Sequence, residues 1–330
     1  MGGAFHDTLV VARCTGMAVG LGSIARYMRL DAPRAVRAFD AVVKPLIDAA
    51  LAEDPELCQD TYQALLATAV RVNLALRAYS TMAGLEFDVS LSVLGGAFTR
   101  VYDDLFDHFY RVDLDERLGE LFRGGPFEPR SGPEAVACAM FRAIVERLGR
   151  DGDDPFFAIV GRLHDFEAAS RRQLDPRASA ADVRHITWGK GGYAVQALCA
   201  LLRPGLAGFE AELVMELGHL LQLIDDHHDL ATDRRDGVVT SVTLGDATLG
   251  SLATQLRGLR ARLRKHYGRN RDRQLSAMLY IMLLGAYVSH RRPNRPAPAA
   301  VPARATRSVW RLMFGEAGHM APRPVDDAGA

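Results

Sequence analysis

Lysine is almost missing from this chain. Of 40 basic residues only Lys44, Lys190 and Lys265 are lysines, and arginine supplies the rest. That is a bias of the kind a GC-rich genome produces, and it makes each lysine worth inspecting. Cysteine is scarce too. Cys14, Cys58, Cys138 and Cys199 lie far apart and form no C-x-x-C pair, which argues against a disulfide framework and for buried thiols in a reducing, cytoplasmic setting. Net charge is absent, with 40 acids against 40 bases, so bulk composition points to neither nucleic acid nor an anionic membrane. No uninterrupted apolar run reaches the length of a membrane span. Leu9–Met28 comes nearest, but Arg13 and Arg26 break it and no basic segment precedes it, so it reads as an amphipathic helix rather than a signal peptide or span. Strand signals are nearly absent as well: there is no alternating β-branched run and no Asn-Gly hairpin turn.

What recurs instead is helical periodicity. Helices are expected over about 7–29, 33–53, 56–83, 89–112, 133–149, 154–174, 180–203, 207–232, 246–267 and 271–290. Asp88 can cap the fourth. Ser179 followed by Asp182 resembles a capping box, and Pro204-Gly205 closes the helix before it. The Gly- and Pro-rich loop Arg123–Pro133 is a break, and the Pro-rich stretch Arg291–Pro302 is an extended connector. Neither divides the chain into self-sufficient halves. The expectation is an all-α fold: one helical domain over 1–290 as a bundle around a central cavity, then a Pro/Ala/Arg-rich tail over 291–330, partly disordered.

Two acidic clusters carry the chemistry. The first is Asp103-Asp104-Leu105-Phe106-Asp107; on a helix Asp103 and Asp107 share a face, with Asp104 about 100° round. The second is Asp225-Asp226-His227-His228-Asp229, followed by Asp233, so that Asp225, Asp229 and Asp233 fall on one line at i, i+4 and i+8. Like charges at that spacing destabilise a bare helix, and the second set follows the apolar residues Phe209, Leu213, Leu217, Leu220, Leu221 and Ile224 toward a C-terminal end where the dipole disfavours anions. One such stretch is ordinarily a solvated helix face. Two of them point to hard cations, and Mg²⁺ prefers oxygen ligands shared with phosphates and water. His227 and His228 do not make a zinc pair, because adjacent residues point to different faces of a helix.

Leu221-Gln222-Leu223-Ile224-Asp225-Asp226-His227-His228-Asp229 resembles the F-Q-x-x-D-D-x-x-D motif of trans-prenyl diphosphate synthases, with Leu221 in place of Phe. The same segment is similar to the N-D-x-x-S-x-x-x-E metal triad of class I terpene synthases, with Asp225, Asp229 and Asp233 at its three ligand positions. Asp103–Asp107 resembles the first D-D-x-x-D motif of both groups, and Trp188-Gly189-Lys190-Gly191-Gly192 partly matches their diphosphate-contacting Lys-Thr pair. The motif-level resemblance covers roughly residues 85–245. Two motifs of the chain-elongating enzymes, G-G-K-R-x-R and R-R-G-x-P, are missing, which favours a terpene synthase with one diphosphate substrate. The acidic second motif is similar to the bacterial branch related to tetraprenyl-β-curcumene synthase.

The resemblance implies magnesium, three ions in all. Asp103 and Asp107 would hold two and Asp225, Asp229 and Asp233 the third, with Asp104 and Asp226 completing the clusters as acceptors from arginine or water. It implies a prenyl diphosphate as the ligand, with Lys190, Arg234 and Arg172 as donors to its oxygens and Gln222 beside Asp226 as a polar contact. Phe98, Trp188 and Tyr193 are candidates for the apolar substrate or the carbocation; Phe106, Tyr110 and Tyr280 are further aromatic candidates. In the resembling enzymes a bulky group at the position of Phe98 limits chain length. The expected partner is this small molecule; nucleic acid and a membrane span are not expected, and a homodimer is compatible. A prenyl diphosphate synthase or other prenyltransferase, and a non-catalytic helical binding subunit, are the alternatives.

Overall fold

The computed structural model describes residue 8 and residues 12–291. All but the first residue of the expected tail over 291–330, and most of residues 7–11 of the expected N-terminal helix, lie outside the described residues. Among the described residues there are helices and no strands, so the chain is all-α. In chain order a 3₁₀ helix Cys14–Gly20 precedes α1 (Leu21–Leu30), α2 (Ala32–Val42), α3 (Lys44–Ala50), α4 (Pro55–Ala83) and α5 (Val89–Asp107). Then come α6 (Leu114–Phe122), α7 (Gly132–Leu148), α8 (Pro155–Ser170) with a 3₁₀ extension Arg171–Leu174, α9 (Ala180–Leu202), α10 (Gly208–Asp236), α11 (Leu249–Tyr267) and α12 (Arg273–Arg291). None is long and apolar enough to cross a membrane.

Local chemistry sets the helix ends. Asp88 caps α5 by accepting from the backbone N–H groups of Ser90 and Leu91 at 2.8 and 3.0 Å. Ser179 caps α9 by accepting from Asp182 N–H at 3.1 Å, while its own hydroxyl bonds the Asp182 carboxylate at 2.6 Å; this departs from a capping box, where the acid would reach the backbone. Gly237, at φ 73°, closes α10 in the left-handed conformation that glycine tolerates best. The expected helices 33–53 and 89–112 are both shorter in the structure: the first breaks at Val43 and the second ends at Asp107. The helix Leu114–Phe122 was not expected, although Leu114, Leu118, Leu121 and Phe122 supply its buried face.

By its contacts the chain forms two compact units. Of the described residues, the first draws on those up to Asp31, on Leu74–Phe87 and on 151–291. In it α9 packs on α8 and α10, α10 on α11 and α12, and α12 on α1 and the Cys14–Gly20 helix. Leu213, Val214, Leu217, Leu220, Leu223 and Ile224 bury the apolar stripe of α10. Phe209, expected in that stripe, is 52% exposed: it sits in the first turn and rests edge-on against His266 of α11.

The second unit, Ala32–Asn73 with Asp88–Arg150, packs α5 on α2 and α7, and α3 on α7. Leu94, Ala97, Val101 and Leu105 of α5 are buried in it. An aromatic cluster adjoins them: Phe98 lies 5.7 Å from both Tyr102 and Phe141 and 6.2 Å from Phe122, ring centre to ring centre. Such pairs add about 0.5–1.5 kcal/mol each beyond the area they bury.

Candidate functional site

The second acidic cluster stands on an unbroken helix. Since α10 continues to Asp236 rather than stopping near 232, Asp225, Asp229 and Asp233 are all helical and share one line. Asp225 and Asp229 are exposed and Asp233 is half-buried. Burial pushes the Asp233 carboxyl up to about 7, and the charges of Asp229, Asp225 and Asp236 add to it. Asp233 is also in the last turn, where the helix dipole opposes an anion.

Asp226, one residue round from that line, is buried. Its Oδ1 accepts from the Gln222 amide at 3.0 Å, and its Oδ2 has no hydrogen-bond partner among the described residues. Burial pushes its carboxyl up to about 7; the Gln222 hydrogen bond pulls back, Asp225 and Asp233 push further, and Lys190 opposes. The structure therefore pairs Gln222 with Asp226, as their i, i+4 spacing allows, and sets Lys190 of α9 near enough for its charge to act on Asp226, which spacing alone could not show.

Close packing of α9 on α10 accounts for that neighbourhood. A Cβ on Gly191 would come 2.7 Å from the Gly218 carbonyl oxygen and 2.5 Å from the Cβ of Gln222. A Cβ on Gly189 would overlap the ring of Phe166 on α8. These glycines let α9 pack closely on α8 and α10. The result seats Lys190 at the junction of α8, α9 and α10. Its ammonium pairs with Glu167 of α8 at 2.8 Å, and Glu167 is 2% exposed. Glu167 was missed from the sequence, because it lies on another helix with no local spacing to mark it.

The aromatic candidates of this unit are in contact. Trp188, 42% exposed, meets Tyr193 edge-on at 6.3 Å, and Tyr193 stacks on Phe166 at 5.5 Å. Arg172 lies exposed in the 3₁₀ segment after α8. Gln173 ties that segment to the loop after α10: its backbone carbonyl accepts from Val239 N–H at 2.8 Å, and its amide donates to the Val239 carbonyl at 3.0 Å. Arg234 is exposed in the last turn of α10. Neither arginine has a side-chain hydrogen bond or ion pair among the described residues.

In the second unit the first cluster ends α5. Asp103 is half-buried and Asp107 exposed, and Asp107 is the last helical residue rather than mid-helix. Asp104 is fully buried and takes Arg100, one turn earlier, in a two-point ion pair at 2.8 and 3.2 Å. Arg100 was legible at i−4 to Asp104 but was not singled out. A cavity of about 520 Å³ in this unit is lined by Arg117, Phe127, Arg130 and Arg142 among others, and none of the candidate residues borders it.

Among the described residues no three His, Cys, Asp or Glu side chains are gathered closely enough to hold a metal by themselves. The donor set nevertheless fits magnesium, which takes one or two carboxylates and completes its shell with phosphate and water. The line on α10 offers carboxylate oxygens, and neighbouring Asp226 keeps a buried oxygen without a hydrogen-bond partner. No protein-family model matches the chain, and no curated protein does either.

Proposed function

We propose that the chain is a magnesium-dependent class I terpene synthase that ionises a linear allylic prenyl diphosphate and releases terpene and pyrophosphate. The observation that carries this reading is the line Asp225, Asp229 and Asp233 on an unbroken α10, beside Lys190 and Gln222. Asp225, Asp229 and Asp233 would hold one Mg²⁺; Asp103 and Asp107 carry the same chemistry on α5 and are assigned two more. Bound there, the metal neutralises the leaving group's charge and polarises its oxygens.

The chain's own groups do the rest. The allylic C–O bond breaks heterolytically and the electron pair leaves on the diphosphate oxygen. Lys190, steadied by Glu167, donates to those oxygens, and its charge matters most as the negative charge develops. Arg172 and Arg234 are further donors of suitable geometry for phosphate oxygens. Gln222 steadies Asp226 and fixes the polar edge of the site. Trp188 and Tyr193 offer aromatic faces to the carbocation, and Phe98 is assigned to the apolar chain.

The test is incubation with geranyl, farnesyl and geranylgeranyl diphosphate plus Mg²⁺, each with and without isopentenyl diphosphate. The expected outcome is hydrocarbon or alcohol with free pyrophosphate from a single substrate, abolished by EDTA. Strict dependence on isopentenyl diphosphate, with longer diphosphates as products, would make the chain a prenyl diphosphate synthase. Binding without turnover of any substrate would make it a helical binding subunit.

A further inference from the structure

The zero net charge conceals a strong local segregation. Residues 257–273 hold Arg257, Arg260, Arg262, Arg264, Lys265, Arg269, Arg271 and Arg273 against a single acid, Asp272. Asp272 is 1% exposed and is held by Arg260 at 2.8 Å and by Arg264 at 3.5 Å, so it is spent inside the fold. Arg262 is paired with Glu216 of α10. Lys265, Arg269, Arg271 and Arg273 are exposed and form no ion pair among the described residues. A helix C-terminus favours cations, which accounts for Arg264 and Lys265. It does not account for Arg269, Arg271 and Arg273, which lie at or beyond the turn to α12.

The packing of the first unit brings segments with exposed apolar residues against this basic stretch. Gly20 lies against the Arg273 backbone, and its chain neighbours Val19 and Leu21 are 65% and 45% exposed. Phe209, 52% exposed, rests 5.5 Å from His266, the chain neighbour of Lys265. Exposed aliphatic and aromatic groups bordering unpaired lysine and arginine suit a bilayer surface, where charges meet anionic headgroups and apolar tips enter the acyl boundary. A nucleic acid duplex would satisfy the charges but give Val19 and Leu21 nothing to enter.

We infer that the face formed by Lys265, Arg269, Arg271 and Arg273 with Val19, Leu21 and Phe209 docks on an anionic phospholipid bilayer. The inference rests on the charge and exposure of these side chains. It also deepens the proposed function, since a prenyl diphosphate carries an apolar chain that partitions into lipid. Among the described residues no helix is long and apolar enough to span, and the docking inferred is peripheral.

The test is sedimentation of the whole chain with vesicles of phosphatidylcholine alone and of phosphatidylcholine with phosphatidylglycerol, without substrate. Binding is expected to the second only, and to weaken with added salt. Each basic residue near such a surface contributes about fivefold in partitioning. The quadruple variant Lys265→Gln, Arg269→Gln, Arg271→Gln, Arg273→Gln should therefore lose on the order of several hundredfold, with its helix content unchanged. Leu21→Ser should weaken the binding that persists at high salt, which keeps the test alive should the quadruple variant misfold. Asp225→Ala should bind vesicles like the parent, so failure of the terpene synthase reading and failure of docking are read separately. Equal binding to both vesicle types, binding to neither, or preference for duplex DNA over anionic vesicles at matched charge would overturn the inference.

Discussion

The two acidic stretches look alike in sequence and differ in how their buried member is neutralised. In α5, buried Asp104 is met by Arg100 from its own helix, in a two-point pair at 2.8 and 3.2 Å. In α10, buried Asp226 has only a neutral amide at 3.0 Å and a lysine already committed to Glu167, and its carboxyl is pushed up to about 7. Asp233 is pushed up to about 7 as well, with its neighbours' charges contributing. The first stretch arrives with its buried charge compensated. The second holds repulsion and desolvation that an added cation would relieve.

The comparison can be broken or sharpened by substitution. The largest effect is expected at Asp225→Ala, which should cut turnover by about 10²–10³-fold or more while circular dichroism shows the helices intact; near-normal rates would remove Asp225 from the ligand set. Next is Phe98→Ala beneath the α5 stretch. Three aromatic neighbours surround this ring, so urea unfolding should show a loss of about 3–5 kcal/mol. A shift toward longer prenyl substrates in the same variant would add the chain-length role, and an unchanged preference would leave Phe98 as core alone.

The same substitution in the two clusters should then act with opposite sign. Asp104→Asn removes the buried carboxylate that Arg100 grips at two points and should cost about 2–3 kcal/mol. Asp226→Asn removes a charge that the fold holds uncomfortably and should stabilise the protein by about 1–3 kcal/mol at pH 8. The pH dependence follows from the same shift. The folded-state value lies above the ordinary 3.8, so between roughly pH 4 and 7 the folded chain binds the proton more tightly than the unfolded one. Stability contributed by Asp226 and Asp233 is present at low pH and is lost as pH rises through about 7. Melting curves of Asp226→Asn against the parent over that range should diverge toward higher pH; parallel curves would show that Asp226 ionises as freely as in the unfolded chain.

Much of the fold was legible because its signals are local. Asp88 and Ser179 act at the helix starts the sequence marks, and α9 ends before Pro204-Gly205. The i, i+4, i+8 acidic line was legible for the same reason. Boundaries without a strong breaker were not: Val43 divides an expected single helix, and α5 stops at Asp107 although no Pro or Gly follows it. The helix Leu114–Phe122 carried acidic first-turn residues Asp115 and Glu116 and an apolar stripe, both readable and both passed over. What could not be read were pairings between helices. Lys190 with Glu167, and the fit of Gly191 against Gly218, depend on how α8, α9 and α10 pack, and no local spacing encodes them.

The central claim, that the carboxylate line of α10 is a metal–diphosphate site, is tested most directly by calorimetric titration of inorganic pyrophosphate into the protein with and without Mg²⁺. The account predicts binding that requires Mg²⁺ and that falls at least about tenfold, a change of about 1.4 kcal/mol, in each of Asp225→Ala, Asp229→Ala and Asp233→Ala. Binding of equal strength in the absence of Mg²⁺, or binding unchanged in all three variants, would contradict it.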